Sequence, residues 1–186
     1  MATGSAIATL VLRLLALVLL AASIAIFATD KFTIDGQKAT FRDIQAYKYV
    51  MAAALLVFIY TLIEIPFAIY HVLKEKRLIN HGCVPHFESC ADQIMAYILA
   101  TAVGAGFGTT FEYKKVLKDF IEGLENLGFE GVEEAKSKGE KFLDRGNIAT
   151  GVLFVAFICV AVQAVISSIS RNNSATNSGR KGYWFG

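Results

Sequence analysis

Residues 91–111 read ADQIMAYILATAVGAGFGTTF. One acid, Asp92, stands at the entrance, and no further charge follows until Glu112. An uncharged apolar run of this length suits the roughly 20 helical residues that cross the hydrocarbon core of a bilayer, which is about 30 Å thick. Three more blocks of the same kind lie in the chain, at about residues 6–28, 49–72 and 148–169. The charges collect between the blocks, as they do when the solvent of a chain alternates between lipid and water. The 186 residues are 55% hydrophobic, where soluble domains run at about 45–50%. The pattern predicts an all-α integral membrane protein, a bundle of four transmembrane helices with a long, partly helical loop between the third and fourth. No other stretch has the apolar content for a soluble core. Residues 1–170 are therefore read as one membrane domain, and residues 171–186, rich in Asn, Ser and Gly, as a polar, disordered tail.

The first block has a competing reading, a cleaved signal peptide. No Lys or Arg precedes its apolar run, and the run exceeds the roughly 7–15 residues of a signal core. A retained span is expected.

The connections differ in character. Thr29–Ala46 reads as a short mixed-charge loop, and the stretch after span two opens with Lys74, Lys76 and Arg77. The long connection, residues 112–146, places Val116, Leu117, Phe120, Ile121 and Leu124 at helical spacing. A weaker stripe continues at Val132, Ala135, Phe142 and Leu143. This predicts one or two amphipathic helices lying on the bundle or on the membrane surface, capping the helix ends.

Three charges fall inside the apolar blocks. Arg13 lies roughly 10 Å into span one, at about 1.5 Å per residue. A bare Arg at the centre of a span costs about 2.5–3.5 kcal/mol on insertion scales. It either snorkels to the interface or pairs. Asp92 opens span three, and Glu64 lies near the end of span two. With four antiparallel spans these positions approach one membrane face, so Arg13 is expected to bridge Asp92, with Glu64 as a second or alternative partner. The role is structural: the pair sets how helices one, two and three pack. The competing reading is a proton or ion path in a channel or transporter subunit, because buried carboxylates mark such paths. Against it, the chain has no repeated half and no second broken helix. Pro66 is expected to kink span two just past Glu64. Span four carries no charge and reads as plain apolar filler.

Span three holds two rows of small residues four apart: Ala100, Gly104 and Gly108, and Ala102, Gly106 and Thr110. Such rows let backbones approach closely, either inside the bundle or between protomers. Sequence does not separate the two faces.

No phosphate loop, dinucleotide fingerprint, zinc-protease signature or nucleophile elbow is present. An enzyme is not expected, and no cofactor is implied. Cys83 and Cys90 lie near His81 and His86, but their spacing matches no zinc motif, so no metal is expected. Cys159 sits in an apolar block as a small hydrophobe. The formal net charge of +2 comes without a clustered basic face, so no nucleic-acid partner is expected. The Lys and Arg count does not orient the chain: more of these residues flank the side opposite the termini. The triplet Asn172-Asn173-Ser174 is a glycosylation acceptor only if the tail lies outside.

Three segments together resemble a known family. They are Leu12-Arg13-Leu14-Leu15-Ala16-Leu17 in span one, Ala46-Tyr47-Lys48-Tyr49-Val50-Met51-Ala52-Ala53 at the entry to span two, and Ala91-Asp92-Gln93-Ile94-Met95-Ala96-Tyr97-Ile98-Leu99 at the entry to span three. The chain is similar to the Casparian strip membrane domain proteins and their CASP-like relatives, plant tetraspan proteins related to the MARVEL domain. In that family the Arg of span one and the Asp of span three recur, here Arg13 and Asp92. The resemblance implies a multi-pass plasma-membrane protein with both termini cytoplasmic. It also implies homo-oligomers, dimeric or higher, or mixed oligomers with relatives, in a membrane scaffold that directs local wall modification. Under that topology Cys83 and Cys90 face a reducing cytosol, and a disulfide between them is not expected. The loop from Thr29 to Lys38 lacks the Glu-x-Leu-Pro-Phe-Phe-like stretch of the strip-forming members, and the long loop lacks cysteines. The departure points to a CASP-like member rather than a strip-forming one.

Overall fold

The computed structural model describes the backbone of residues 2–29, 31–34, 37–40, 44–74, 84–126 and 132–182, and the side chains of residues 7–29, 44–69, 89–124, 126 and 136–169. Its elements are α1 (Ala2–Thr29), β1 (Lys31–Ile34), β2 (Gln37–Thr40), α2 (Gln45–Lys74), α3 (Val84–Asn126) and α4 (Val132–Gly182). Four stretches within the helices are long and apolar enough to cross a membrane: Ile7–Thr29, Gln45–Ile69, Ser89–Leu124 and Lys136–Ile169. The molecule is an all-α membrane bundle with one small hairpin added at a helix end.

The helices pack in a ring, α1 on α2, α2 on α3, α3 on α4 and α4 on α1. Each turns a narrow face inward at intervals of three and four residues. On α1 this face is Arg13, Ala16, Leu20, Ser23 and Phe27; on α4 it is Ala149, Leu153, Ala156, Val160 and Gln163. Alternating three and four keeps a seam facing its neighbours along helices of 3.6 residues per turn. The outer faces are apolar too. Val11, Leu14 and Val18 on α1, Leu62, Ile63 and Phe67 on α2, and Val155, Ile158 and Val165 on α4 are all exposed. A soluble protein rarely shows apolar surface this continuous. Here it faces hydrocarbon, and the interior is no more apolar than the outside.

The structure differs from the sequence expectation in three places. First, the long connection does not form separate helices lying on the bundle. The spans themselves run on, α3 to Asn126 and α4 from Val132. Past Phe111, α3 therefore extends by about 22 Å at 1.5 Å per residue. No proline interrupts residues 85–182 after Pro85, and extending an existing helix avoids the cost of a new nucleus. The helical stripe seen in the sequence is the seam of this extension: Ile121, Phe142 and Leu143 are buried in it, and Lys114 reaches Asp144 at 2.5 Å. Second, the Thr29–Ala46 stretch contains an antiparallel hairpin, with Phe32 opposite Ala39 and Thr33 opposite Lys38. Third, α4 continues to Gly182, so the stretch from Arg171 expected to be disordered is helical in backbone up to that residue. The same saving in nucleation accounts for it. Tyr183 to Gly186 lie outside the described residues. α2 stays helical on both sides of Pro66, which is exposed.

Candidate functional site

Four helices each deliver polar groups to one point in the membrane. Arg13 on α1 is only 2% exposed. Its Nη2 lies 2.9 Å from Glu64 Oε2 and 3.7 Å from Asp92 Oδ2. Asp92 is fully buried, and the Glu64 side chain is nearly so. Arg13 is thus closer to Glu64 than to Asp92, the reverse of the order read from the sequence. The Tyr60 hydroxyl lies 2.6 Å from Glu64 Oε1 and 2.9 Å from Asp92 Oδ1, in reach of donating to either. Gln163 on α4 points its Nε2 at Asp92 Oδ1 across 3.5 Å.

The arrangement follows from the cost of charge in hydrocarbon. An isolated ion there is expensive, and it persists when opposite charge and further hydrogen bonds surround it. Tyr60 and Glu64 are four apart on α2, so they share a face one turn from each other. Because Arg13, Glu64, Asp92 and Gln163 come from four different helices, the polar contacts can form only when all four are assembled in one register. Chemically the cluster does what a clasp does: it ties the ring of helices at one depth.

Tyr60 and Gln163 were not legible as partners in the sequence. A tyrosine in a span is common, but its i, i+4 spacing to Glu64 is a readable signal. Gln163 is the one amide within the fourth apolar block, and it corrects the view of that span as filler. Tyr60→Phe removes the hydroxyl that reaches both acids, an expected loss of about 1.5–3 kcal/mol for hydrogen bonds to charged groups. Gln163→Leu, at its longer distance, is expected to cost about 0.6 kcal/mol, the mean for polar contacts between spans. Thermal unfolding of both variants in detergent checks the ranking. A Gln163→Leu protein less stable than Tyr60→Phe would mean that the amide, not the phenol, secures the acids.

A second polar layer lies toward the other end of the spans. The Tyr47 and Thr110 hydroxyls are 2.8 Å apart, and Thr110 donates to the Gly106 carbonyl. The Tyr47 ring sits 5.4 Å from Phe27 and 6.4 Å from Phe142, centroid to centroid. Ser23 donates to the Ala149 carbonyl at 2.9 Å. Close approach is enforced by glycine. A Cβ on Gly106 would stand 2.7 Å from Thr150, and one on Gly146 would stand 2.7 Å from the Tyr47 hydroxyl.

The two rows of small residues on α3 part company here. Ala102, Gly106 and Thr110 are buried within the bundle. Gly104 and Gly108 are exposed, with open space where a Cβ would be, and Ala100 is half-buried. Among the described residues no group of His, Cys, Asp and Glu is placed to hold a metal. Cys90 is exposed and Cys159 buried, both as free thiols. Cys83 and His81 lie outside the described residues, as does the His86 side chain.

The fold and the cluster together define a tetraspan integral membrane protein whose spans are tied by intramembrane charge. The chain belongs to the Casparian strip membrane protein domain family, whose model matches residues 2–159. It is 35% identical over 175 residues to CASP-like protein 4D1 of Sorghum bicolor, covering 88% of this chain and 90% of that protein. It is 32% identical over 166 residues to CASP-like protein 4D2 of Arabidopsis thaliana, covering 87% of each. A further relative, CASP-like protein 4D1 of Ricinus communis, is 30% identical over 169 residues, with 89% of this chain and 91% of that protein covered. No solved structure matches the chain.

Proposed function

We propose that this protein is a non-enzymatic scaffold of the plasma membrane, with both termini cytoplasmic. It self-associates, or mixes with relatives, into a membrane platform that organises local modification of the cell wall. Membership in the Casparian strip membrane protein domain family supports the reading. The observation that carries it is the division of labour among the polar and small residues of the spans. The intramembrane charges are consumed in joining α1, α2, α3 and α4 to one another. Meanwhile Ala100, Gly104 and Gly108 leave a shallow strip on the outward face of α3. Without a hydrophobic driving force between helices in lipid, such strips favour association because backbones can approach closely.

Fluorescence recovery after photobleaching of the tagged chain in a plant plasma membrane tests this. Slow, incomplete recovery is expected for the native chain. Gly104→Leu/Gly108→Leu is expected to recover fast while still reaching the membrane. Free diffusion of the native chain, with no clustering, would sink the scaffold reading.

A further inference from the structure

We propose that the seam between α3 and α4, in the half of the membrane that holds the chain termini, binds one acyl chain of a membrane phospholipid. The seam opens there into a groove of about 480 Å³. Its walls are Ala96 and Ala100 from α3 and Ala161 and Ala164 from α4. Four methyl side chains face each other where larger residues would fill the space. Phe157 closes the deep end, and Gln93 and Ser168 stand toward the mouth.

The shape selects the occupant. From Ile169 at the mouth to Phe157 at the floor, α4 rises about 18 Å at 1.5 Å per residue. One leaflet of hydrocarbon is about 15 Å, half of the roughly 30 Å core. The α4 wall of the groove is thus about as long as one leaflet is deep, and the α3 wall, from Gln93 to Ala100, lines about 10 Å of it at the headgroup end. A helix from a second copy crosses both leaflets and needs a continuous surface. This groove does not continue: beyond Phe157 the two helices close on each other, where Gly106 meets Thr150.

The position gives the site a purpose. Gln93 follows Asp92 in sequence, and Ala164 follows Gln163. At 3.6 residues per turn these neighbours stand about 100° around their helices from the groove lining, and Asp92 and Gln163 meet each other there at 3.5 Å. An unfilled groove would leave its lining without dispersion contacts. A bound acyl chain fills it and keeps water from the buried charges behind it. The site is independent of which face of the membrane is cytoplasmic; it shares Ala100 with the outward strip of α3, whose Gly104 and Gly108 lie outside the groove lining.

Two measurements test it. In the first, protein purified in mild detergent is weighed by native mass spectrometry. The native chain is expected to retain one phospholipid, which is lost in Ala161→Leu/Ala164→Phe and kept in Val162→Phe, an exposed position outside the groove. In the second, the native chain is irradiated in phosphatidylcholine vesicles whose acyl chains carry a diazirine, so that no variant needs to fold. Crosslinks are expected to concentrate on Ala96, Ala100, Ala161 and Ala164. Crosslinks spread evenly over exposed positions such as Leu62 and Ile63 would overturn the proposal. So would a lipid retained equally by the filled variant, or a disulfide-linked dimer formed efficiently in membranes by Ala161→Cys but not by the native chain, whose Cys90 is exposed.

Discussion

Arg13→Met is expected to take away a large part of the stability of the four-helix fold. Arg13 is the one cation among the described members of the cluster, 2.9 Å from Glu64 and 3.7 Å from Asp92. Removing one partner of a buried pair costs about 3–5 kcal/mol, because the charge left behind is uncompensated. Whole domains are stable by only about 5–15 kcal/mol. The loss should appear as a low or absent thermal transition in detergent and as aggregation on size exclusion. The triple variant Arg13→Met/Glu64→Gln/Asp92→Asn is the control. It removes all three charges at nearly constant volume, and replacing a buried ionic group by neutral packing is often close to neutral in stability. It is expected to recover much of what the single variant loses. If Arg13→Met alone melts like the native chain, the charges do not hold the bundle together.

Gly106→Ala is the second large effect, and its control lies two residues away. The new methyl would stand 2.7 Å from both the Cγ2 and the Oγ1 of Thr150, which is fully buried. α3 and α4 must separate or shift, an overpacking cost of about 1–3 kcal/mol. Thr150→Ala deletes both of those atoms and leaves only the Cβ contact at 3.3 Å. The double variant should therefore be more stable than Gly106→Ala alone, a coupling that a double-mutant cycle reads directly. Gly104→Ala adds the same methyl to open space and should melt as the native chain does. Equal damage at Gly104 and Gly106 would mean that the inward and outward rows of α3 do not differ in packing, and greater damage at Gly104 would mean that they are assigned the wrong way round.

The hairpin has its signal in the sequence. Lys31-Phe32-Thr33-Ile34 and Gln37-Lys38-Ala39-Thr40 are separated by Asp35-Gly36, a dipeptide common in two-residue hairpin links. The long extensions of α3 and α4 were masked by a change of solvent. Charges begin at Glu112, and a composition shift looks like the end of a span even where the helix itself continues. Tyr60 and Gln163 were hidden differently. Neither is charged, so neither calls for a counter-ion as Arg13 does, and each matters because α3 brings Asp92 within reach of it.

What the sequence determined by itself was the axial order of this protein. Four apolar blocks set the number of spans, and the places of Arg13, Glu64 and Asp92 in those blocks brought them toward one depth. Hydropathy can do this because it records where along each helix the solvent changes from water to lipid. What only the tertiary structure decided was the azimuth: which face of each helix looks inward. In water an apolar stripe announces the core. In lipid both faces are apolar, and the stripe carries no such information. Whether Gly104 or Gly106 meets Thr150, whether Glu64 or Asp92 stands nearer Arg13, and whether α4 contributes Gln163 depend on volumes and polar pairing across helices. Those terms come into being only when the four spans pack.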